Sequence, residues 1–175
     1  NGFDNKELES TEKLPEQISS QIPINTFVIG YIGTHGLANS LDTLIQAASQ
    51  LKKYKEIVFV LVGQGKEKSS LIELSKSYEL NNIIFIDPIK KFQVQSMLNL
   101  FDICFIGWKK NDLYQYGIAP QKMPEYMMSG KPILHAYSGE GDYVQEANCG
   151  ITVPADDSDA VAKAVLELKA MTEEE

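Results

Sequence analysis

Ile57-Val58-Phe59-Val60-Leu61-Val62 is a run of six apolar residues closed by Gly63. A strand with one wet face alternates apolar and polar side chains. An unbroken run of this length fits a strand covered on both faces, as parallel strands are. Similar elements recur along the chain: Phe27–Ile32, Ile83–Ile86, Asp102–Ile106, Ile133–Ala136 and Ile151–Val153 all read as short apolar strands. Between them the period changes. Leu41, Leu44, Ile45, Ala48 and Leu51 recur at intervals of three and four, which predicts an amphipathic helix over 40–53. Further helices are expected at 67–79, 91–99 and 121–129, with a turn or short helix at 141–147. Ala160, Val161, Ala164, Val165 and Leu168 form the buried stripe of a last helix, capped by Asp157 or Ser158. Six strands interleaved with helices through right-handed crossovers give an α/β fold, an open parallel sheet with helices on both faces.

Residues 1–25 are polar, contain Pro15 and Pro23 and show no sustained period, so they are expected to lead into a domain occupying 26–175. The 175 residues suffice for one well-filled domain. Lys and Arg number 16 against 24 Asp and Glu, a net charge of −8. That balance disfavours nucleic acid and anionic membrane surfaces as partners. Two cysteines, Cys104 and Cys149, cannot build a disulfide framework or a cysteine metal cluster. Cys104 lies in Ile103-Cys104-Phe105-Ile106 and reads as a buried free thiol, which fits a reducing compartment. No apolar run approaches the roughly 18 residues of a membrane span, and the first residues do not form a signal peptide. The chain opens at Asn1-Gly2 without Met, as an excised or processed piece would.

In an open parallel sheet the ligand crevice lies beyond the carboxyl ends of the strands. Gly33-Thr34-His35-Gly36 follows the first predicted strand there, and Gly63-Gln64-Gly65 follows the second. Glycines let backbone approach a ligand, and helix N-termini offer N–H groups to an anion; the same residues also serve a tight strand-to-helix turn. Two such loops at one sheet edge point to nucleotide or phosphate binding. The familiar fingerprints are absent. Gly63-Gln64-Gly65-Lys66-Glu67-Lys68 places Lys68 where a third glycine belongs and follows the wrong strand for a nicotinamide cofactor. There is no G-x-x-x-x-G-K-[ST] stretch and no G-x-S-x-G elbow. His35 and His135 share no metal-ligand spacing. His35, at a strand end, is a candidate phosphate or sugar contact, whereas His135 sits within a strand and reads as structural.

The richest stretch is Tyr116-Gly117-Ile118-Ala119-Pro120-Gln121-Lys122-Met123-Pro124-Glu125-Tyr126-Met127-Met128-Ser129-Gly130-Lys131-Pro132. Prolines suit a helix start, where the missing N–H costs little, and Gly130 followed by Pro132 ends the helix. Lys122 and Glu125 are three apart and share a face. Lys122 can meet a phosphate as a point charge, and Glu125 can accept both hydroxyls of a ribose diol. The plainer reading of the pair is a helical salt bridge.

These segments together resemble the C-terminal, nucleotide-sugar-binding domain of a GT-B glycosyltransferase of family 4, a Rossmann-like sheet forming half of that fold. The signature is carried by Pro120-Gln121-Lys122-Met123-Pro124-Glu125-Tyr126-Met127-Met128-Ser129-Gly130-Lys131-Pro132. Asn1-Gly2-Phe3-Asp4 resembles the end of that family's interdomain crossover. Tyr31-Ile32-Gly33-Thr34-His35-Gly36 and Val62-Gly63-Gln64-Gly65 resemble its two glycine loops. Asn82-Ile83-Ile84-Phe85, Ser138-Gly139-Glu140 and Asn148-Cys149-Gly150-Ile151-Thr152-Val153 extend the likeness nearly end to end. The resemblance implies that Glu125 holds the ribose hydroxyls, that Lys122 lies near the diphosphate and that Pro88 and Ile89 lie near the base. It places Gly33, Thr34, His35 and Gly36 over the diphosphate, with Gly63 and Gly65 in the second loop.

It further implies a UDP-linked sugar as donor, retention of configuration, and no metal or other cofactor. A saccharide or lipid-linked acceptor would be held by an N-terminal domain outside this chain, so no catalytic residue is expected within it. Cell-surface polysaccharide synthesis is the implied setting, with a cytoplasmic enzyme peripheral to the inner membrane face. Two departures stand out. The family's earlier glutamate, eight positions before the second, falls on Gly117, and Thr34–Asn39 offers neither the Arg nor the Lys that many members carry there. His35 and Lys122 are candidates for part of that role. The alternatives are half of a nucleotide-sugar 2-epimerase and a non-catalytic α/β nucleotide-binding module. A receiver domain fits Gly33-Thr34-His35 and Asp87-Pro88 poorly, and a methyltransferase would carry its glycine loop after the first strand.

Overall fold

The structure, a computed structural model, describes residues 11–116, 118 and 121–173. Asn1–Asp4, Gly117, Ala119 and Pro120, which figure in the expectations above, lie outside the described residues. Six strands form one sheet: β1 (Phe27–Ile32), β2 (Ile57–Val62), β3 (Ile83–Ile86), β4 (Ile103–Gly107), β5 (Ile133–Ala136) and β6 (Gly150–Val153). Their spatial order is β3-β2-β1-β4-β5-β6, and every neighbouring pair is parallel. The strand expectations hold to within one residue at each end. β4 starts one residue late because Asp102 is used otherwise: its Oδ2 accepts the Val28 N–H at 2.7 Å. All six residues of β2 are buried, as a strand between two covered faces requires.

The first face carries α2 (Leu41–Gln50), α3 (Lys68–Ser77) and α7 (Ser158–Glu173). Leu44, Ile45, Leu71, Val161 and Val165 pack there on Ile29, Tyr31, Phe59, Leu61 and Phe105. The second face carries α1 (Glu16–Ser19), α4 (Val94–Leu98), α5 (Met123–Met128) and α6 (Tyr143–Glu146). Met97, Leu98, Met123, Tyr126 and Val144 meet Val28, Val60, Cys104 and Ile106. Cys104 is fully buried, and burial pushes its thiol up to about 12. Asp157 is the cap of α7, accepting the Ala160 N–H at 2.9 Å.

Two elements differ from the sequence expectation. The stretch expected as one helix over 91–99 begins as a 3-10 turn, Lys91–Gln93, before α4. Gln93 Oε1 accepts the Lys90 N–H at 3.1 Å and closes that turn. The lead-in also packs more firmly than its polarity suggests. Leu14, Ile18 and Ile22 lie against the second face. The Glu12 N–H donates to the Phe92 carbonyl at 2.8 Å, and Ser96 Oγ donates to the Glu12 carbonyl at 2.7 Å.

The strand order reverses direction between β1 and β4, and the crevice of such a sheet opens there, beyond the strands' carboxyl ends. Among the described residues, no helix is long and apolar enough to cross a membrane.

Candidate functional site: the crevice at the strand-order switch

The register pairs Ile32 with Val62, so the two glycine loops leave the sheet side by side. The Gly33 N–H donates to the Val62 carbonyl at 3.0 Å, and the His35 N–H to the Gln64 carbonyl at 2.9 Å. Returning the contact, the Glu67 N–H donates to the His35 carbonyl at 3.0 Å. Gly63 has a φ of +139°, and a Cβ placed there would stand 2.0 Å from the Gly33 carbonyl oxygen. A Cβ on Gly65 would stand 2.2 Å from the His35 carbonyl oxygen. These two glycines are therefore demanded by the packing of one loop on the other. Gly36 is different: its nearest neighbours would lie at 3.7 Å. The N–H groups of Gly33, His35, Gly36 and Gly63 all donate to backbone carbonyls within the fold. Recognition of an anion here consequently falls to side chains and to the remaining amides.

Lys122 stands at the N-terminal boundary of α5 and reaches back across the switch point. Its Nζ donates to Tyr31 Oη at 3.0 Å and to Asn39 Oδ1 at 3.2 Å, and lies 4.3 Å from the centre of the Tyr31 ring. A Cβ on Gly33 would come within 3.1 Å of it. Both hydrogen-bond partners are neutral. Burial pulls the ammonium from its ordinary 10.5 down to about 8, against the opposing field of Glu125. The helix itself is fixed by Tyr126, fully buried, whose hydroxyl accepts the Ile32 N–H at 2.8 Å. Sequence reasoning placed Lys122 here but missed Tyr31 and Asn39. Their separation from Lys122, 91 and 83 residues, puts the contact beyond any local spacing rule.

Glu125 is half-buried one turn further along α5, close enough to act on the Lys122 ammonium. Its backbone carbonyl accepts from Gln95 Nε2 at 3.3 Å, which joins α5 to α4. Pro88 is exposed and Ile89 half-buried in the segment between β3 and α4. Lys68, read in the sequence as a broken glycine pattern, turns out to tie this edge together. It donates to the Gly63 carbonyl at 3.0 Å and pairs with Asp87 Oδ1 at 2.7 Å.

His35 differs from a simple ligand contact. Its ring is fully buried, 6.1 Å from the Tyr31 ring and 6.3 Å from Phe85, centre to centre, and neither nitrogen has a hydrogen-bond partner. Burial, with Lys68 and Lys122 nearby, lowers its pKa to about 4, so the ring is neutral at pH 7. At the position expected to contact phosphate or sugar, the structure thus places a fully buried, neutral imidazole whose two nitrogens have no hydrogen-bond partner. His135 is buried in β5 and shares its Nδ1 with Asp142 Oδ1 at 3.0 Å, while stacking on Tyr137. Asp142 also accepts the Val144 N–H, so this pair fastens α6 to the sheet. Among the described residues, no group of three or more His, Cys, Asp or Glu side chains is placed to hold a metal ion.

The structure thus brings Lys122, Gly33 and Gly63 together at the switch point, with Glu125 one turn away and the Pro88–Ile89 segment joined to it through α4. A parallel sheet of this order, with helices on both faces, defines a domain of the Rossmann-like type. The chain belongs to the family "Glycosyl transferases group 1", whose model matches residues 13–175. No curated protein matches it in sequence. Among solved structures, Anabaena HepE in complex with UDP-glucose is 20% identical, with a TM-score of 0.75 over 99% of this chain and 47% of HepE. The C-terminal domain of LpcC, a group 1 family glycosyl transferase from Francisella tularensis, is 22% identical. Its TM-score is 0.74 over 98% of this chain and 90% of that one. A mutant of S. aureus TarM, in complex with Fondaparinux, alpha-GlcNAc-glycerol and UDP, is 18% identical. Its TM-score is 0.65 over 87% of this chain and 33% of TarM. The likeness is that of the Rossmann-like, C-terminal half of a GT-B fold. The chain spans about half the length of HepE.

Proposed function

We propose that this domain binds the nucleotide-sugar donor of a glycosyltransferase, with UDP as the nucleotide. The observation that carries the reading is the Lys122 ammonium, held at the switch point by Tyr31 and Asn39 against Gly33. A diphosphate beside it supplies the anionic partner that its two neutral neighbours do not. Glu125, one turn on, accepts the two ribose hydroxyls, and Pro88 and Ile89 line the base. UDP is favoured because the HepE and TarM structures contain it. In the reaction, the bond between the sugar's anomeric carbon and the diphosphate oxygen breaks and a bond to an acceptor oxygen forms. The acceptor proton leaves with the diphosphate, whose growing charge Lys122 offsets. Retention of configuration, chemistry without a metal, membership of family 4 and a role in cell-surface polysaccharide synthesis at the inner membrane face belong to the same reading. So does an N-terminal domain that binds a saccharide or lipid-linked acceptor.

Titration calorimetry of the chain with UDP and with uridine tests the assignment. Lys122→Met should erase the advantage of UDP over uridine. Glu125→Ala should weaken both by about tenfold, as loss of charge-assisted hydrogen bonds does. Unchanged UDP affinity in both variants would sink the proposal.

A further inference from the structure

Outside the crevice itself, a set of polar contacts on this rim converges on Asp156, between β6 and α7. Its Oδ1 accepts from Ser40 Oγ at 2.6 Å, and its Oδ2 accepts the Lys110 N–H at 2.8 Å. Lys109 Nζ lies 3.1 Å from Oδ1 and 2.7 Å from Asp42 Oδ2, while the Lys109 N–H donates to the Ala38 carbonyl at 3.0 Å. Three loops therefore meet on one carboxylate: those after β1, after β4 and after β6. Two of the residues that meet, Ser40 and Asp156, hold left-handed backbone, with φ of 47° and 60°. Non-glycine residues adopt that region only when their surroundings insist on it. Ser40 is also fully buried.

The position of this knot matters because Asn39 lies inside it. Ala38 is bonded on one side of Asn39 and Ser40 on the other, which leaves the Asn39 side chain little freedom of direction. Its Nδ2 donates to the Thr34 carbonyl at 3.0 Å, and its Oδ1 takes the Lys122 ammonium at 3.2 Å. The Thr34 carbonyl receives Tyr31 Oη at 2.8 Å, and Tyr31 Oη is the other partner of Lys122. The chain of contacts thus runs unbroken from Asp156 through Ser40 and Asn39 to Lys122. Both hydrogen-bond partners of this ammonium are neutral, and Glu125 acts on it only through its field, so the placement of those partners sets the direction of its N–H groups.

We propose that Asp156 is a positioning residue: acting through Ser40 and Asn39, it aims the Lys122 ammonium at the donor's diphosphate. The proposal rests on the reading of Lys122 given above, and its test separates the two. Asp156→Asn and Asp156→Ala break the charge and the carboxylate in turn. Ser40→Gly breaks the link from the other side and relieves the left-handed backbone, so the fold keeps or gains thermal stability. In Asp156→Ala and Ser40→Gly, UDP affinity should fall about tenfold, the loss expected from a misdirected charge-assisted hydrogen bond, while uridine affinity stays put. Asp156→Asn should recover part of the loss. Independently of any nucleotide, amine-reactive labelling read by mass spectrometry should find Lys122 more reactive in Ser40→Gly than in the parent. Unchanged Lys122 labelling in all three variants overturns the proposal, as does an equal loss of UDP and uridine affinity. A parent chain that binds UDP no more tightly than uridine, with Lys122 labelling still dependent on Ser40, overturns the diphosphate reading and leaves the positioning intact.

Discussion

Lys122 and His35 are two basic residues whose protonation the fold strongly alters, and both shifts have the same leading origin, burial. Each is a basic group held out of water near other positive charge or neutral partners, so the charged form is disfavoured. For Lys122 the folded value, about 8, lies below the ordinary 10.5. Between those limits the unfolded chain binds more protons, so this group makes stability rise with pH across the window. Diphosphate binding favours the ammonium and reverses the preference. UDP should therefore take up a proton when it binds above pH 8, and its affinity should decline as pH rises past that value. Calorimetry in buffers of differing ionisation enthalpy reads both effects, and affinity that is flat through pH 8 would exclude Lys122 as the partner. His35 obeys the same algebra lower down. Its contribution is intact above the usual 6.5 and is lost as pH falls toward about 4. Proton NMR should show one imidazole titrating near 4 and the other, His135, below its ordinary value because burial outweighs Asp142.

At the scale of elements, the two glycine loops separate packing from ligand binding. Gly63→Ala forces a Cβ into the Gly33 carbonyl at a φ of +139°, and Gly65→Ala forces one into the His35 carbonyl. Each should destabilise the fold by roughly 3 kcal/mol, from overpacking and backbone strain. Gly36→Ala meets only ordinary contacts and should change stability by less than about 1 kcal/mol, the usual range for an unstrained loop substitution. Chemical denaturation of the three variants checks the ordering; equal costs would show that the loops do not lean on one another. The sheet itself was legible because its strands are short and wholly apolar, and because helix and strand periods alternate without a break. The site was legible only in part. Lys122 and Glu125 announce themselves by spacing within a helix start, but Tyr31 lies in a strand whose apolar pattern hides its hydroxyl. Asn39 sits in an unremarkable loop, and Lys68 registers only as a missing glycine. Their roles arise from neighbours brought together by the crossovers, which no window of sequence contains. The four-residue α1 was missed for another reason: it is too short to show a period.

At the scale of the whole molecule, the chain is one Rossmann-like domain of the GT-B kind. It aligns with 47% of HepE and 90% of the LpcC C-terminal domain. The crevice opens at the carboxyl ends of β1 and β4, and the proposed function gives this chain the donor and leaves the acceptor and catalytic groups to another domain. The chain by itself should accordingly bind UDP weakly and transfer no sugar. A radiolabelled UDP-sugar assay with the purified chain, supplied with saccharide acceptors, should stay at background; turnover would show that the catalytic groups reside here after all.

The attachment of Glu12 to Phe92 and Ser96 gives the lead-in a mechanical meaning. Those two bonds grip the 3-10 turn and α4, and Gln95 of α4 holds the Glu125 carbonyl. A pull on the backbone ahead of residue 12 would thus be delivered through α4 to the backbone of α5 at Glu125. On the proposed reading of Glu125, tension on the lead-in and hold on the donor would share one tether.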